Sequence, residues 1–94
     1  LDEDFTAVRV RISGRVQGVA YRAWTQSEAE KLGLSGWVRN EPDGSVMALI
    51  AGPNAKISEM VDAFWRGPRL ARVTGVDTEA AEFDAQQRGF QITY

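Results

Sequence analysis

Gly14 and Gly18 bracket the run Arg15-Val16-Gln17, and Val19-Ala20-Tyr21 then lead to Arg22. No acidic residue occurs from Phe5 to Ser27, yet that span holds Arg9, Arg11, Arg15 and Arg22. Where a loop enters a helix, its backbone N–H groups are unpaired, and the helix dipole adds positive potential. Glycines let successive amides converge on one point, as an anion requires. A cation in the first helical turn opposes that dipole unless an anion lies between them. Such a loop followed by Arg22 would suit a phosphate or a carboxylate. From pattern alone a plainer reading stands beside it: an ordinary strand-to-helix loop, followed by a solvated arginine. The stretch matches neither a P-loop nor a dinucleotide-binding fingerprint.

The rest of the composition narrows the chemistry. The chain has 94 residues, which is one domain, 1–94. Its 44% hydrophobic and 26% charged residues are ordinary for a globular fold. The net charge of −2 argues against a general nucleic-acid binder, though not against a local cationic pocket. There is no cysteine and no histidine, so thiol chemistry, imidazole-based triads and the usual zinc sites are excluded. No apolar run reaches the ~20 residues of a membrane helix. The acidic start Leu1-Asp2-Glu3-Asp4 does not read as a signal peptide, and a cytoplasmic protein is expected. The chain starts at Leu1 rather than Met, as a trimmed product would.

Seven elements can position the loop. Residues 6–13 alternate, with Val8, Val10 and Ile12 on one face and Arg9 and Arg11 on the other, a half-buried strand. Tyr21 to Leu32 reads as a helix with Tyr21, Thr25, Ala29 and Leu32 in one stripe, Glu28 close to its centre, Trp24 at its flank and Gly33 after its end. Residues 34–40 and 45–51 read as a hairpin about the turn Pro42-Asp43-Gly44. A second helix follows Gly52, with Pro53 as its first residue or Asn54 as its cap. Its stripe is Ile57, Met60, Val61, Phe64 and Trp65, and Gly67-Pro68 ends it. Strands at 70–78 and 90–94 flank a polar loop at 80–88.

This order, β-α-β-β-α-β-β, is the split βαβ pattern of a ferredoxin-like α+β sandwich with one added strand. It predicts a mixed, mostly antiparallel five-stranded sheet with two helices on one face. The first two strands must run parallel, so the loop after Ile12 and the segment around Asn40 emerge at the same sheet edge. Open α/β sheets place ligands at such an edge.

Gly14-Arg15-Val16-Gln17-Gly18-Val19-Ala20-Tyr21-Arg22 resembles the acylphosphatase signature of glycine-arginine-valine-glutamine-glycine-valine, a variable residue, an aromatic and arginine. Gly36-Trp37-Val38-Arg39-Asn40-Glu41-Pro42-Asp43-Gly44 is similar to the second block of that family. Gly52-Pro53 and the closing Gly89-Phe90-Gln91-Ile92-Thr93-Tyr94 also look like family members. The resemblance implies sheet order 4-1-3-2 with a short fifth strand beside the second. It implies hydrolysis of acyl phosphates to carboxylate and phosphate without metal, cofactor or covalent intermediate. It assigns catalysis to Arg22 and Asn40, and phosphate binding to the amides of Arg15, Val16, Gln17, Gly18, Val19 and Ala20. Gly14, Tyr21 and Gly44 take supporting places. Two departures stand out. Tyr21 replaces a phenylalanine and brings a hydroxyl that needs a partner if buried, and Met47 stands where many members carry glutamate.

An acyl phosphate suits a chain with these groups. Its leaving group is a carboxylate with a pKa near ~4 and needs little protonation. Neutralising the phosphate and aiming one water remain, and Arg22, the loop amides and the Asn40 amide can do both. Expected partners are therefore a small acyl phosphate and an anion in the site, with no nucleic acid, no membrane and a monomeric chain. Arg15 is expected to be exposed, Gln17 to close the loop by hydrogen bonding, and Asp43 to form the turn. Arg9, Arg11 and Arg39 are expected on the open sheet face, and Trp65 in the core or at its edge. Two other classes remain. An RNA-binding module of this topology stacks bases on central-strand aromatics, but Arg9, Arg11, Met47, Leu49 and Ala51 occupy those positions. A non-catalytic interaction domain would use the apolar patch of Trp37, Met47, Leu49 and Ala51, unless the 80–88 loop covers it.

Overall fold

The computed structural model describes residues 5–84 and 87–94. The acidic start, with Asp2, Glu3 and Asp4, and the centre of the polar loop lie outside the described residues. The elements are β1 (Phe5–Arg15), α1 (Tyr21–Lys31), β2 (Ser35–Asn40), β3 (Val46–Pro53), α2 (Asn54–Arg66), β4 (Arg72–Ala80) and β5 (Phe90–Ile92). They form one sheet of order β4-β1-β3-β2-β5. β1 is antiparallel to β3 and β4, and β2 is antiparallel to β3. β5 pairs parallel to β2. The expected ferredoxin-like architecture and strand order are both present.

The alternation of β1 and β3 explains the layers. Val10, Ile12, Val46, Ala48 and Ile50 share the helix side with Val38 and Phe90, and Tyr21, Ala29, Ile57, Met60 and Phe64 of the helices close over them. In α1 the stripe Tyr21, Thr25 and Ala29 is buried, as the spacing predicts. In α2 the buried face is Ile57, Met60, Ala63 and Phe64, and Trp65 is 50% exposed. The helix is therefore rotated toward Ala63, which lies on the far side of Met60 from Phe64 and Trp65 on the helical wheel; the bulky Trp65 is left at the surface. Pro53 is the N-cap and Asn54 the first helical residue, so neither takes the place expected of it. β3 continues through Gly52 and Pro53 by pairing with Thr6 and Phe5, which delays the helix. β4 likewise runs two residues further than expected, to Ala80 opposite Val8.

The open sheet face is partly covered. Ala7, Leu49 and Ala51 form a small second core under Trp37, Ala81 and Phe83. Residues at the start of the polar loop thus cover the apolar patch of β3, with the Ala81 amide donating to the Ala7 carbonyl at 3.1 Å. This covers much of the surface that an interaction domain would have used, with Trp37 left half-buried.

Gly14 ends the regular part of β1. The register of β1 against β4 shifts between Ser13 and Gly14, and Gly14 has a φ of 119°. A Cβ here would overlap the Arg72 carbonyl oxygen and come within 2.8 Å of the Thr74 nitrogen. Both are backbone atoms of the adjacent strand and cannot give way cheaply. Gly14→Ala is expected to lower stability by about 2–3 kcal/mol, the cost of a strained conformation added to the overlap. Urea unfolding would show it as a lower midpoint with an unchanged slope.

Candidate active site

Because β1, β2 and β5 run in one direction, their carboxyl ends emerge together at the edge where α1 begins. In the β2–β5 register Gly36 faces Phe90 and Val38 faces Ile92, so residues 40 and 94 come level. Asn40 shares the helix side with Val38, because strand residues two apart point the same way. A pocket of about 280 Å³ opens at this edge, lined by Val16, Gln17, Gly18, Ala20, Tyr21, Arg22, Ala23, Asn40, Ile92 and Tyr94. The loop, Arg22 and Asn40, separated by up to 26 positions in the chain, therefore meet in one concavity.

The loop 16–20 is held by its own apolar side chains. Val16 is fully buried and Val19 is 7% exposed, whereas Gly18 and Ala20 are exposed. Val16 and Val19 anchor the main chain inward and leave its intervening turn at the surface. Gly18 has a φ of 75° and Ala20 a φ of 64°. A left-handed alanine costs about 1–2 kcal/mol, and it stands at the N-cap of α1, where extended geometry is usual. No side chain caps this helix start and no acid lies in its first turn. The strain and the uncapped amides fit an anion site held ready in advance.

Two clamps fix the loop. Gln17 Nε2 donates to the Glu41 carbonyl at 2.9 Å and to the Ser45 carbonyl at 2.8 Å, tying the loop to the β2–β3 turn beside Asn40. The turn closes on itself through Gly44 N to Glu41 O at 3.1 Å and Glu41 N to Ser45 O at 2.9 Å. Asp43 accepts from the Ser45 amide at 2.9 Å and from the Ser45 hydroxyl at 2.6 Å. These two bonds, with the Arg11 guanidinium at 3.2 Å, hold the Asp43 carboxyl below the usual carboxylate range. The other acid of the turn, Glu41, pairs with Arg39 at 2.6 Å, and Arg39 also lies 4.7 Å from the centre of the Trp37 ring. Both acids are thus engaged by open-face arginines. Gln17→Ala is expected to lower stability by about 1–2 kcal/mol, since two carbonyls lose a shared donor. Thermal or urea unfolding would measure it, and Gln17→Glu would do no better because an ionised carboxylate cannot donate.

Tyr21 seats α1. Its hydroxyl donates to the Phe64 carbonyl at 2.7 Å, one of the last carbonyls of α2, which have no partner inside the helix. The additional oxygen relative to phenylalanine is therefore satisfied, and burial pushes the phenol pKa up. Tyr21, Trp24 and Phe64 pack ring to ring at 5.2–6.4 Å. One turn of helix then stitches to the last strand. Gln26 donates to the Phe90 carbonyl at 2.9 Å, and Arg22, four residues earlier on the same helix face, donates to the Thr93 carbonyl at 3.3 Å. The Arg22 guanidinium lies 4.8 Å from the centre of the Tyr94 ring. One of its five N–H donors is engaged with Thr93, and Arg22 is the one charged side chain among the described residues lining the pocket. Asn40 makes no side-chain hydrogen bond to any described residue, so its amide is available to the pocket.

Arg22, Asn40, Val16, Gln17, Gly18, Ala20 and Tyr21 all line the pocket, while Val19 acts from beneath it. Arg15 is exposed, as expected, but does not line the pocket to which its amide was assigned. Gly14 and Gly44 shape the approaches. Sequence reasoning missed Gln26, Ile92, Thr93 and Tyr94 as parts of the site. The spacing of Gln26 from Arg22 was a readable signal; the place of Ile92 to Tyr94 depends on the parallel pairing of β5. Among the described residues no three His, Cys, Asp or Glu side chains converge as metal ligands would, and no helix is long and apolar enough to cross a membrane.

Comparison with known proteins covers nearly the whole chain. The Acylphosphatase family model matches residues 8–92. An acylphosphatase of Rhizobium etli is 60% identical over 87 residues, covering 93% of each chain. One of Rhizobium meliloti is 56% identical over 93 residues, covering 99% of this chain and 98% of the other. The structure of an acylphosphatase from Coxiella burnetii superposes with a TM-score of 0.92 at 32% identity, over 98% of this chain and 96% of that one.

Proposed function

The chain belongs to the acylphosphatase family and is an enzyme of that class, and we propose that its pocket hydrolyses the carboxyl–phosphate anhydride by gripping the phosphoryl group and aiming one water. The observation that carries this reading is the convergence of Arg22, Asn40 and the exposed turn of the 16–20 loop on one pocket at the sheet edge. The phosphoryl oxygens would receive the loop amides and the free guanidinium N–H groups. Both sets of donors are held in place before substrate arrives, which is how a preorganised site lowers a barrier.

The Asn40 amide can accept from a water through its oxygen and donate through its nitrogen, orienting that water opposite the leaving carboxylate. The water oxygen forms a bond to phosphorus as the bond from phosphorus to the acyl oxygen breaks. The electron pair leaves with the carboxylate, and a proton of the water passes to solvent or to a phosphoryl oxygen. Because a carboxylate is a good leaving group, no general acid is needed on that side. The pocket, at about 280 Å³, is of a size for a small acyl phosphate.

Hydrolysis of benzoyl phosphate in ¹⁸O-water tests the route of attack. Label is expected in the inorganic phosphate. Label in the benzoate would mean attack at the carbonyl carbon and would overturn the role given to Asn40. The chain has no histidine, so a kinetic pKa near ~6.5 would belong to the substrate and not to an imidazole.

A further inference from the structure

We propose that Arg15, Arg66, Arg69 and Arg72 form a cationic collar beside the pocket, which draws the substrate dianion toward the phosphate loop. This rests on the reading of the pocket as an acyl-phosphate site. Two stretches of the chain hold arginines and no acid, 5–27 and 63–76. They are distant in sequence, and the fold lays them side by side. Arg15, the last residue of β1, faces Arg72, the first of β4, across their antiparallel pair. α2 ends at the same sheet edge, where its Phe64 carbonyl accepts from the Tyr21 hydroxyl. Gly67 lies so near the Tyr21 ring that an added Cβ would come within 2.8 Å of it. Arg66 and Arg69 stand on either side of that contact. Tyr21 lines the pocket, and so does Val16, which follows Arg15 directly.

All four arginines are exposed, and none has an acidic partner among the described residues. The acids of the β2–β3 turn do not neutralise them, because Asp43 and Glu41 pair with Arg11 and Arg39. Arg66 complements the C-terminal dipole of α2. The other three have no such role in the fold. Arg15 opposite Arg72 is moreover a like-charge cross-strand pair, which destabilises a sheet. A chain of net charge −2 that bears this repulsion at one edge concentrates positive potential where the phosphoryl group enters. Such a field acts through water, so salt screens it, over a Debye length of about 30 Å at 0.01 M and about 8 Å at 0.15 M.

The dependence of kcat/KM for benzoyl phosphate on ionic strength, from about 10 to about 300 mM, tests the collar. Arg69→Gln/Arg72→Gln is expected to lower kcat/KM about fivefold at the low end and less than about twofold at the high end, with kcat unchanged. Arg69→Glu/Arg72→Glu should lower it about twentyfold at low salt. Arg69→Lys/Arg72→Lys should keep the wild-type value and the wild-type salt slope. In urea unfolding at low salt, Arg72→Gln should raise the midpoint, because the repulsion from Arg15 is relieved. A loss of kcat/KM that is equal at both ends of the salt range, or that lysine fails to restore, would mean that the arginines act through the fold and would overturn the collar. Salt curves of the glutamine variant that coincide with those of the wild type would overturn it as well, and so would a lowered midpoint for Arg72→Gln. Failure of the wild type to hydrolyse benzoyl phosphate would instead overturn the reading of the pocket on which the collar rests.

Discussion

Arg22→Gln is expected to lower kcat/KM for an acyl phosphate by about 10³-fold or more, the scale on which a single arginine stabilises a transferring phosphoryl group. Glutamine keeps a hydrogen-bonding amide on a shorter side chain but removes the charge and the forked donor geometry. Arg22 is the one cation among the described residues lining the pocket, and no second arginine or lysine there can take over. In the proposed mechanism it contacts the phosphoryl oxygens in both the bound and the transition state, so KM should rise as kcat falls. Inorganic phosphate, as a competitive inhibitor, should weaken in parallel. Stability should change little, because the side chain is half-buried and its one recorded protein bond is the 3.3 Å contact with Thr93. The measurement is a full kinetic comparison, with circular dichroism and urea unfolding as controls for the fold. Retained phosphate affinity in the variant would place the anion elsewhere.

Asn40→Ala is the second large effect, and its signature differs. A drop in kcat of about 10²–10³-fold is expected, as for loss of one oriented polar group in a preorganised site. KM and the inhibition constant of phosphate should stay within about twofold, because the loop amides and Arg22 still bind the ground state. Asn40 lies at the end of β2 with its amide free of side-chain partners among the described residues, so truncation breaks no recorded hydrogen bond of the fold. Asn40→Asp would add a negative charge beside a dianion and should weaken binding as well. Equal losses in phosphate affinity for Asn40→Ala and Arg22→Gln would contradict a division of labour between water and phosphate.

The two residues differ in how they reach the site. Arg22 arrives by local structure: a loop, a helix start and its first turn, all within nine residues of Gly14. Its rotamer does not, since it depends on the Thr93 carbonyl and the Tyr94 ring. Asn40 arrives by topology. Its strand must run parallel to β1 for its end to face the loop, and β3 lies between them and enforces that direction by pairing antiparallel to both.

Much of this architecture is written in local patterns. The two-residue period of Val8, Val10 and Ile12, the helical stripe of α1, the Pro42-Asp43-Gly44 turn and the glycine-bracketed loop each follow from steric and solvation rules acting on neighbours. They are enough to name the element order, the sheet edge that carries the site, and Arg22 with its loop. The details that went otherwise all turn on partners distant in the chain. Ala63 displaced Trp65 from the core because the fit against the sheet, not hydrophobicity, decides which face of α2 is buried. Pro53 became a cap because β1 holds the end of β3. The Tyr21 hydroxyl, the Gln17 clamp and the Gln26–Arg22 stitch each bond a backbone carbonyl 24 to 71 positions away. Any carbonyl can accept such a bond whatever its side chain, so residue identity carries no record of it. The sequence alone therefore determined which groups could do the chemistry; tertiary structure decided how they are held, because main-chain acceptors become distinguishable only when the chain has folded.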